Sequence, residues 1–346
     1  MVTAPSSEER NFTARVNTVV IAYDSGAAPE AGPPLAERNF AARVGAVVVA
    51  YNSGAVLKSS LPPLAGLARV VVVDNASTDD SIAVARAALP NVEVVENRVN
   101  LGYGNGGNCG LARLDTEFAL FVNPDAVMEP EAVRLLVEAA DRYPDAAILG
   151  PALLTPEGKV ELSHNLGLFE QAACCRKRAD AHLVPEGDLC AGFVSGAVML
   201  LRMSAVARFG GFDPDIFLFY EDTELCLRAS RAGWSLVHVP GARVMHAGGG
   251  SSRPNPRIDR LKQWHMAWSR LHLEKKYHGR AAPLALPLLL CHGAKALGYG
   301  LIFSRAKARR HAARFCGAWA FLAGRPACDA AVRAARVLLP AAEEGR

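Results

Sequence analysis

Val70-Val-Val-Val73-Asp74-Asn75-Ala76-Ser77-Thr78-Asp79 is a run of four β-branched residues stopped by a carboxylate and a string of small polar groups. A short apolar run bounded by turn residues reads as a strand buried on both faces. Similar runs recur at residues 47–50, 92–96 and 118–122, with helical stretches expected around residues 80–88, 106–114 and 130–143. This alternation predicts an α/β fold with a mostly parallel, doubly wound central sheet flanked by helices. Such sheets bind ligands at the carboxyl ends of their strands. Polar or glycine-rich residues stand at those ends: Tyr51-Asn52-Ser53, Asp74-Asn75, Asn100-Leu-Gly102-Tyr-Gly104 and Asn123-Pro-Asp125.

Half of the 346 residues are apolar and 21% are charged, enough for a sizeable core and against global disorder. The chain is expected to divide into a duplicated extension (1–36, poorly ordered), a catalytic domain (37–250) and a basic helical region (251–346). The extension is expected because residues 9–27 recur at 37–55 with 14 of 19 positions identical. The second copy leads on to the next strand and is taken as strand one. The first runs into Pro29, Gly32, Pro33 and Pro34, a linker composition. Eight cysteines without a Cys-x-x-Cys pair read as reduced thiols of the cytosol. The polar opening, with no basic-then-apolar leader, agrees with a cytoplasmic location.

Charge is unevenly spread. Residues 251–346 carry 18 Lys and Arg against 5 Asp and Glu, whereas the rest of the chain is net acidic. Residues 284–303 are apolar but interrupted by Pro287, His292, Gly293 and Lys295, leaving an uninterrupted run too short for a bilayer span. Basic residues from Arg305 to Arg314 follow, a pattern suited to docking on an anionic membrane surface or to a solvated helix packed on its own domain. Trp264 and Trp268 fall at helix-core spacing rather than on a stacking platform, so no nucleic acid partner is expected.

The acids with most chemical promise lie in Phe217-Leu-Phe-Tyr-Glu221-Asp222-Thr-Glu224. Glu221 and Asp222 follow four large apolar residues, and Leu225, Leu227 and Arg228 continue at helical spacing. The pair therefore sits at a helix start, where the dipole favours an ionised carboxylate. A charged acid beside apolar walls suits a general base, or simply complements the dipole. Arg228 and Arg231 read as structural partners for acids.

Taken together, five ordered elements resemble glycosyltransferase family 2, in particular its rhamnosyltransferase-like members with the GT-A (nucleotide-diphospho-sugar transferase) fold. They are Val-Val-Ala-Tyr51-Asn52-Ser53; Asp74-Asn75-Ala-Ser77-Thr78-Asp79; Asn100-Leu-Gly102-Tyr-Gly104 with Gly107-Asn108; Asn123-Pro-Asp125; and Gly210-Gly-Phe-Asp213 through Glu221-Asp222 to His246. The resemblance covers about residues 44–280. It implies that Asp222 is the base for an acceptor hydroxyl and that Glu221 supports it. Tyr51, Asn52, Asp74, Asn100, Gly102, Gly104 and Asn123 would meet the nucleotide sugar. The family's metal motif has carboxylates at both outer positions; Asp125 matches and Asn123 does not. Asp125 with His246 would then hold a divalent ion, Mn2+ or Mg2+, the imidazole suiting Mn2+ better.

Each residue also has a plainer reading. Asp74 can accept the N3–H of uracil or thymine, or cap the helix that follows Ser77. Asp125 can be a turn acid, and the glycines can form an ordinary loop, since they lack the spacing of a dinucleotide fingerprint. Ser195-Gly196 fits either a sugar or acceptor pocket or a tight turn. The expected activity is inverting transfer of a sugar, rhamnose favoured, from a dTDP- or UDP-sugar to a glycan or polyprenyl-linked acceptor in bacterial cell-surface polysaccharide assembly, peripheral to the inner membrane's cytoplasmic face. Two other classes remain: a catalytically inactive sugar-nucleotide or polysaccharide binding module, and a sugar-phosphate nucleotidyltransferase. The latter would require an Arg- or Lys-bearing phosphate loop after strand one, which Tyr51-Asn-Ser-Gly-Ala lacks.

Overall fold

A computed structural model describes residues 39–161, 163–165, 185–248 and 255–339. The first copy of the repeat, the 1–36 extension and Cys174-Cys175 lie outside the described residues. The second copy forms strand β1 (Val44–Ala50) and opens helix α1 (Gly54–Ser60). There follow β2 (Arg69–Asp74), α2 (Ser81–Ala88), β3 (Glu93–Glu96), α3 (Tyr103–Leu111), β4 (Phe118–Val122), β5 (Ala126–Val127) and α4 (Pro130–Arg142).

Strand-like periodicity explains the burial. Val44, Ala46, Val48 and Ala50 enter one core cluster, while Val47 and Val49 enter the other. Val70 and Val72 of β2 likewise separate from Val71 and Val73. Alternating side chains thus fill both faces of the sheet, as a doubly wound fold requires.

The chain then adds β6 (Ala146–Leu154), β7 (Val160–Glu161), β8 (His164–Asn165), β9 (Leu189–Cys190), β10 (Phe193–Val194), β11 (Val198–Arg202), α5 (Met203–Phe209), α6 (Glu221–Arg231) and β12 (Ser235–His246). The main sheet runs β3-β2-β1-β4-β11-β6-β12-β5. β1, β2, β3 and β4 pair in parallel, as do β6 and β12. β11 enters antiparallel between β4 and β6. Its Val-Met-Leu-Leu run is buried on both faces, so apolarity marks a central strand without encoding its direction.

Helix α3 begins earlier than expected, at Tyr103 rather than 106, and is buried almost throughout. Gly106, Gly107 and Gly110 are required by close packing against the sheet. A Cβ on Gly110 would stand 2.3 Å from Val47 Cγ1, a separation real side chains essentially never show.

The C-terminal region consists of α7 (Pro256–His278), α8 (Ala282–Leu301), α9 (Arg305–Leu322) and α10 (Ala330–Ala335). It docks on the sheet domain: Cys328 and Val332 enter the core, and Gly211 N–H donates to the Leu339 carbonyl at 2.9 Å. Helix α8 runs unbroken through Pro287, Gly293 and Lys295, the residues that interrupt its apolar run. Pro287 falls early in the helix, where its missing N–H forfeits one bond without ending the helix. By length and composition alone α8 could cross a membrane, although no membrane is implied by that fact.

Candidate functional site

The expected binding edge forms at the carboxyl ends of β1, β2 and β4. Asp74, the last residue of β2, is buried. Its Oδ2 accepts the Ser77 N–H at 2.9 Å, while its buried Oδ1 has no hydrogen-bond partner. The helix-cap reading does not apply, since α2 begins at Ser81 with Asp80 as its N-cap. A spare buried acceptor costs free energy until a donor reaches it. Asn52 adopts a left-handed φ of 53° and accepts the Thr78 N–H at 2.7 Å, which joins the β1 and β2 loops. Tyr51 stands exposed beside them.

The 100–104 loop packs closely against the chain itself. Asn100 turns inward to accept the Gly102 N–H at 2.9 Å. Gly102 takes a φ of 85°, and a Cβ there would lie 2.1 Å from the Phe217 carbonyl oxygen. Over Gly104 the space is filled by Phe212 and Glu221. These glycines therefore admit the chain's own 212–221 segment. That segment carries the acidic pair.

Two consecutive left-handed residues, Phe219 (φ 65°) and Tyr220 (φ 68°), turn the backbone into α6. Non-glycine residues rarely hold this conformation, which costs on the order of 1–3 kcal/mol each unless surrounding contacts impose it. Here Ser269 Oγ donates to the Leu218 carbonyl at 3.1 Å and His265 stacks on Phe217. Farther along α6, Glu224 is buried within a cationic network of Arg228 (2.6 Å) and Lys276 (2.6 Å), and Lys276 also reaches Asp213 at 2.7 Å. Arg228 thus serves as the expected structural partner, whereas Arg231 lies over the Tyr277 ring instead.

Glu221 and Asp222 occupy the first positions of α6. Burial, then the Asp222 charge, pushes the Glu221 carboxyl up to about 8. Burial also raises Asp222, opposed by hydrogen bonds from Gly196 and Thr223. For Glu221 the expectation that the helix dipole keeps the acid ionised is therefore corrected, because loss of solvent outweighs the dipole. Glu221 Oε2 has no partner, as suits a protonated, neutral carboxyl. Unfolded Glu titrates near 4.5, so only the folded chain retains this proton between about 4.5 and 8. Stability should consequently fall as pH rises through that window. Glu221→Gln should flatten this slope to the smaller contribution left by groups such as His246: at pH 9 the variant should exceed wild type by roughly 3–5 kcal/mol, and at pH 5 the two should agree within about 1 kcal/mol. Urea midpoints at both pH values check this, and equal pH slopes in the two proteins would refute it.

The Ser195-Gly196-Ala197 turn ties the site together. Gly196 N–H donates to Asp222 Oδ2 at 3.0 Å, and the Ala197 carbonyl accepts the Asn123 N–H at 2.8 Å. A Cβ on Gly196 would approach Asp222 Cβ to 2.9 Å, so the turn must pass close to the acid. Ser195 faces its own turn, its Oγ accepting the Ala197 N–H at 3.3 Å. The Tyr103 hydroxyl closes the group: it donates to Asn123 Oδ1 and lies 3.0 Å from the Gly196 carbonyl.

His246 reaches the same place because β12 ends on β5, with His246 paired to Ala126. The Ala247 N–H then donates to the Asp125 carbonyl at 3.1 Å. His246 Nε2 lies 3.5 Å from Asp125 Oδ1, and Nδ1 lies 2.9 Å from Glu161 Oε2. The two carboxylates, Asp125 foremost, raise His246 to about 8 against the opposing effect of burial. Carboxylate and imidazole facing each other in this way fit a divalent ion that takes its remaining ligands from substrate and water. Among the described residues no group of three or more His, Cys, Asp or Glu forms a complete metal cage.

Glu161 and Tyr103 are functional candidates that the sequence reading missed. Glu161 lies in a polar stretch without a motif, and Tyr103 sat unremarked between two glycines. A separate cavity of about 650 Å³, bordered by Asp213, Trp268, Lys275 and Arg325, contains none of the candidate site residues.

Comparison with known proteins bears on the family and the fold. Residues 46–201 match the family description "Glycosyl transferase family 2". N-acetylglucosaminyl-diphospho-decaprenol L-rhamnosyltransferase of Mycobacterium tuberculosis is 31% identical over 201 residues, covering 51% of this chain and 66% of that relative, just under two thirds of its length. A glycosyltransferase of Mycobacterium bovis is 30% identical over 192 residues, covering 53% of this chain and 77% of its own. A solved mannosyltransferase from Pyrobaculum calidifontis, in complex with GDP-Man and Mn2+, shares the fold with a TM-score of 0.51 at 17% identity, over 86% of this chain and 91% of that one.

Proposed function

Because the chain belongs to glycosyltransferase family 2 and has a GT-A fold, we propose that it is an inverting glycosyltransferase that moves a sugar from a nucleoside-diphosphate donor to a hydroxyl group. The observation that carries this reading is the Ser195-Gly196-Ala197 turn, which joins the half-buried Asp222 to Asn123 and, through it, to Asp125 and His246. A base and a candidate diphosphate-metal site are thereby held on one polar seam.

In this reading the nucleotide base lies at the β1–β2 edge, with its N3–H directed to the spare Asp74 oxygen. Asp222 takes the proton of the acceptor hydroxyl as that oxygen attacks the anomeric carbon. The bond to the diphosphate breaks on the opposite side, so the configuration inverts. Gly196 N–H and Thr223 N–H, at 3.0 and 2.7 Å, hold the carboxylate in position for that transfer. Glu221, neutral at pH 7, fills the wall behind it without adding a second charge. Asp125 and His246 would hold the divalent cation, Mn2+ or Mg2+, which when bound neutralises charge on the departing diphosphate.

The donor proposed is a dTDP- or UDP-sugar, with dTDP-rhamnose first. The acceptor proposed is a glycan or polyprenyl-linked sugar, since the mycobacterial relative is named for a decaprenol-linked acceptor. The enzyme would then work at the cytoplasmic face of the membrane. Incubating it with dTDP-rhamnose, Mn2+ and a polyprenyl-diphosphate GlcNAc acceptor, then analysing products by mass spectrometry, tests the reading. Donor binding without product under any nucleotide sugar would instead identify a binding module.

Asp74→Asn tests the donor half. Exchanging the acceptor for an amide should raise the donor KM roughly 10- to 100-fold and change kcat little, the cost of a hydrogen bond to a charged group. An unchanged donor KM would remove Asp74 from the nucleotide site.

A further inference from the structure

The hairpin of α8 and α9 exposes a large apolar surface that the catalytic reading leaves unused. Leu286, Leu290, Leu297 and Leu301 recur at intervals of four, seven and four, so they line a single stripe of α8. The stripe ends in the connecting turn, where Leu301 is 80% and Phe303 84% exposed, with Ile302 between them. Trp319 adds a 59% exposed indole from α9. Isolated exposed hydrophobics are ordinary, but a continuous row ending in an aromatic tip marks an interaction surface.

Charge identifies the partner. From Lys275 to Cys328 the chain carries ten Lys and Arg and not one Asp or Glu. Arg305, Lys307, Arg309 and Arg310 follow the tip within two turns, and of these Arg310 is engaged by Asp259. A second copy of the hairpin would meet this surface with the same positive charge. An anionic bilayer meets it with the opposite sign and accepts apolar side chains just below its headgroups.

We infer that the α8–α9 hairpin is a docking wedge for an anionic lipid surface, with Leu301, Ile302 and Phe303 entering the acyl boundary and Arg305, Lys307 and Arg309 at the headgroups. The hairpin lies on the bilayer and does not span it. Ala285 and Leu289 on the inner side of α8 are packed against Ala267, Leu271 and Ala318. His292 is buried against His311 at 3.0 Å. A transmembrane α8 would surrender these contacts and place His292 and Lys295 in hydrocarbon.

The wedge also has a line of contact to the chemistry. α9 packs closely on α7, where a Cβ at Gly317 would meet the Trp264 carbonyl at 2.2 Å. α7 in turn holds the Phe217–Leu218 turn ahead of Glu221. Docking would therefore bring the acceptor side towards the lipid headgroups, a consequence that rests on the lipid-linked acceptor proposed above.

Flotation of the full chain with phosphatidylcholine vesicles, with and without about one third phosphatidylglycerol, tests the wedge. Wild type should float only with the anionic vesicles. Arg305→Glu/Arg309→Glu should weaken binding by roughly 25-fold or more, about fivefold for each cation removed from an anionic surface. Phe303→Glu should abolish flotation at moderate salt. Both substitutions fall on exposed residues, and unchanged hydrolysis of donor in solution would verify folding. Wild type that stays unbound, or binds neutral and anionic vesicles alike, overturns the proposal. So does a concentration-dependent dimer that Phe303→Glu dissolves. Anionic-specific flotation without sugar transfer from any donor would refute the glycosyltransferase reading and leave the wedge standing.

Discussion

Asp222→Asn is expected to lower the transfer rate by about a thousandfold while leaving donor affinity within about a factor of two. The amide cannot take the acceptor proton, yet it fills the same space beneath Gly196. It also has one acceptor oxygen where the carboxylate offers two, and both are used, by Gly196 N–H at 3.0 Å and Thr223 N–H at 2.7 Å. A modest stability loss of about 1–2 kcal/mol should therefore accompany the kinetic defect. Single-turnover transfer and donor binding separate the two effects. The pH profile adds a signature with a definite sign: a base must be deprotonated, so the rate falls on the acid side. Because burial raises Asp222, that fall should begin above the ordinary aspartate value of 3.8. A variant that transfers at the wild-type rate would dismiss Asp222 as the base.

Asp125→Asn should lower metal-stimulated turnover by roughly 100-fold or more and weaken Mn2+ binding in the presence of the nucleoside diphosphate. His246→Gln should act in the same direction with a smaller loss, since it removes a neutral donor from the ion. Paramagnetic resonance of Mn2+ titrated into the protein with dTDP reads the affinity without turnover. If both variants bind Mn2+ like wild type, the cation is held elsewhere. Asn123 acts through its contacts. With Oδ1 accepting the Tyr103 hydroxyl and Nδ2 3.4 Å from His246 Nε2, it links the candidate cation site to Gly196 and the proposed base. The departure from the family's paired carboxylates thus leaves an amide in service as a connector.

The first half of the sheet was legible because β-branched runs, turn residues and helices alternate with little ambiguity. Asp74, Asp125, Asp222 and His246 were legible as polar residues at element ends. Direction and closeness were harder to read. Nothing in Val-Met-Leu-Leu distinguishes an antiparallel insertion from another parallel strand, since a fully buried strand is apolar either way. The glycines near 100–110 were legible as special, but their purpose depends on Val47 and Phe217, residues distant in sequence. Glu161 joins His246 across β-structure, with no local pattern to announce it. The retained proton of Glu221 followed from the depth of its burial, which helix position alone does not specify.

Lys276 lies well beyond residue 250, yet its ammonium sits between Asp213 and Glu224, at 2.7 and 2.6 Å. Burial raises Asp213, but His272 and Lys276 more than reverse this and hold its carboxyl far below the usual range. The helix that presents the acidic pair is therefore anchored from the C-terminal side of the molecule. In modular terms the catalytic half is not a portable cassette. A chimera that exchanges the region after residue 250 for another protein's membrane anchor would strip Asp213 of both His272 and Lys276 and leave Glu224 with Arg228 alone, so swaps for new acceptors should keep α7 and begin beyond it.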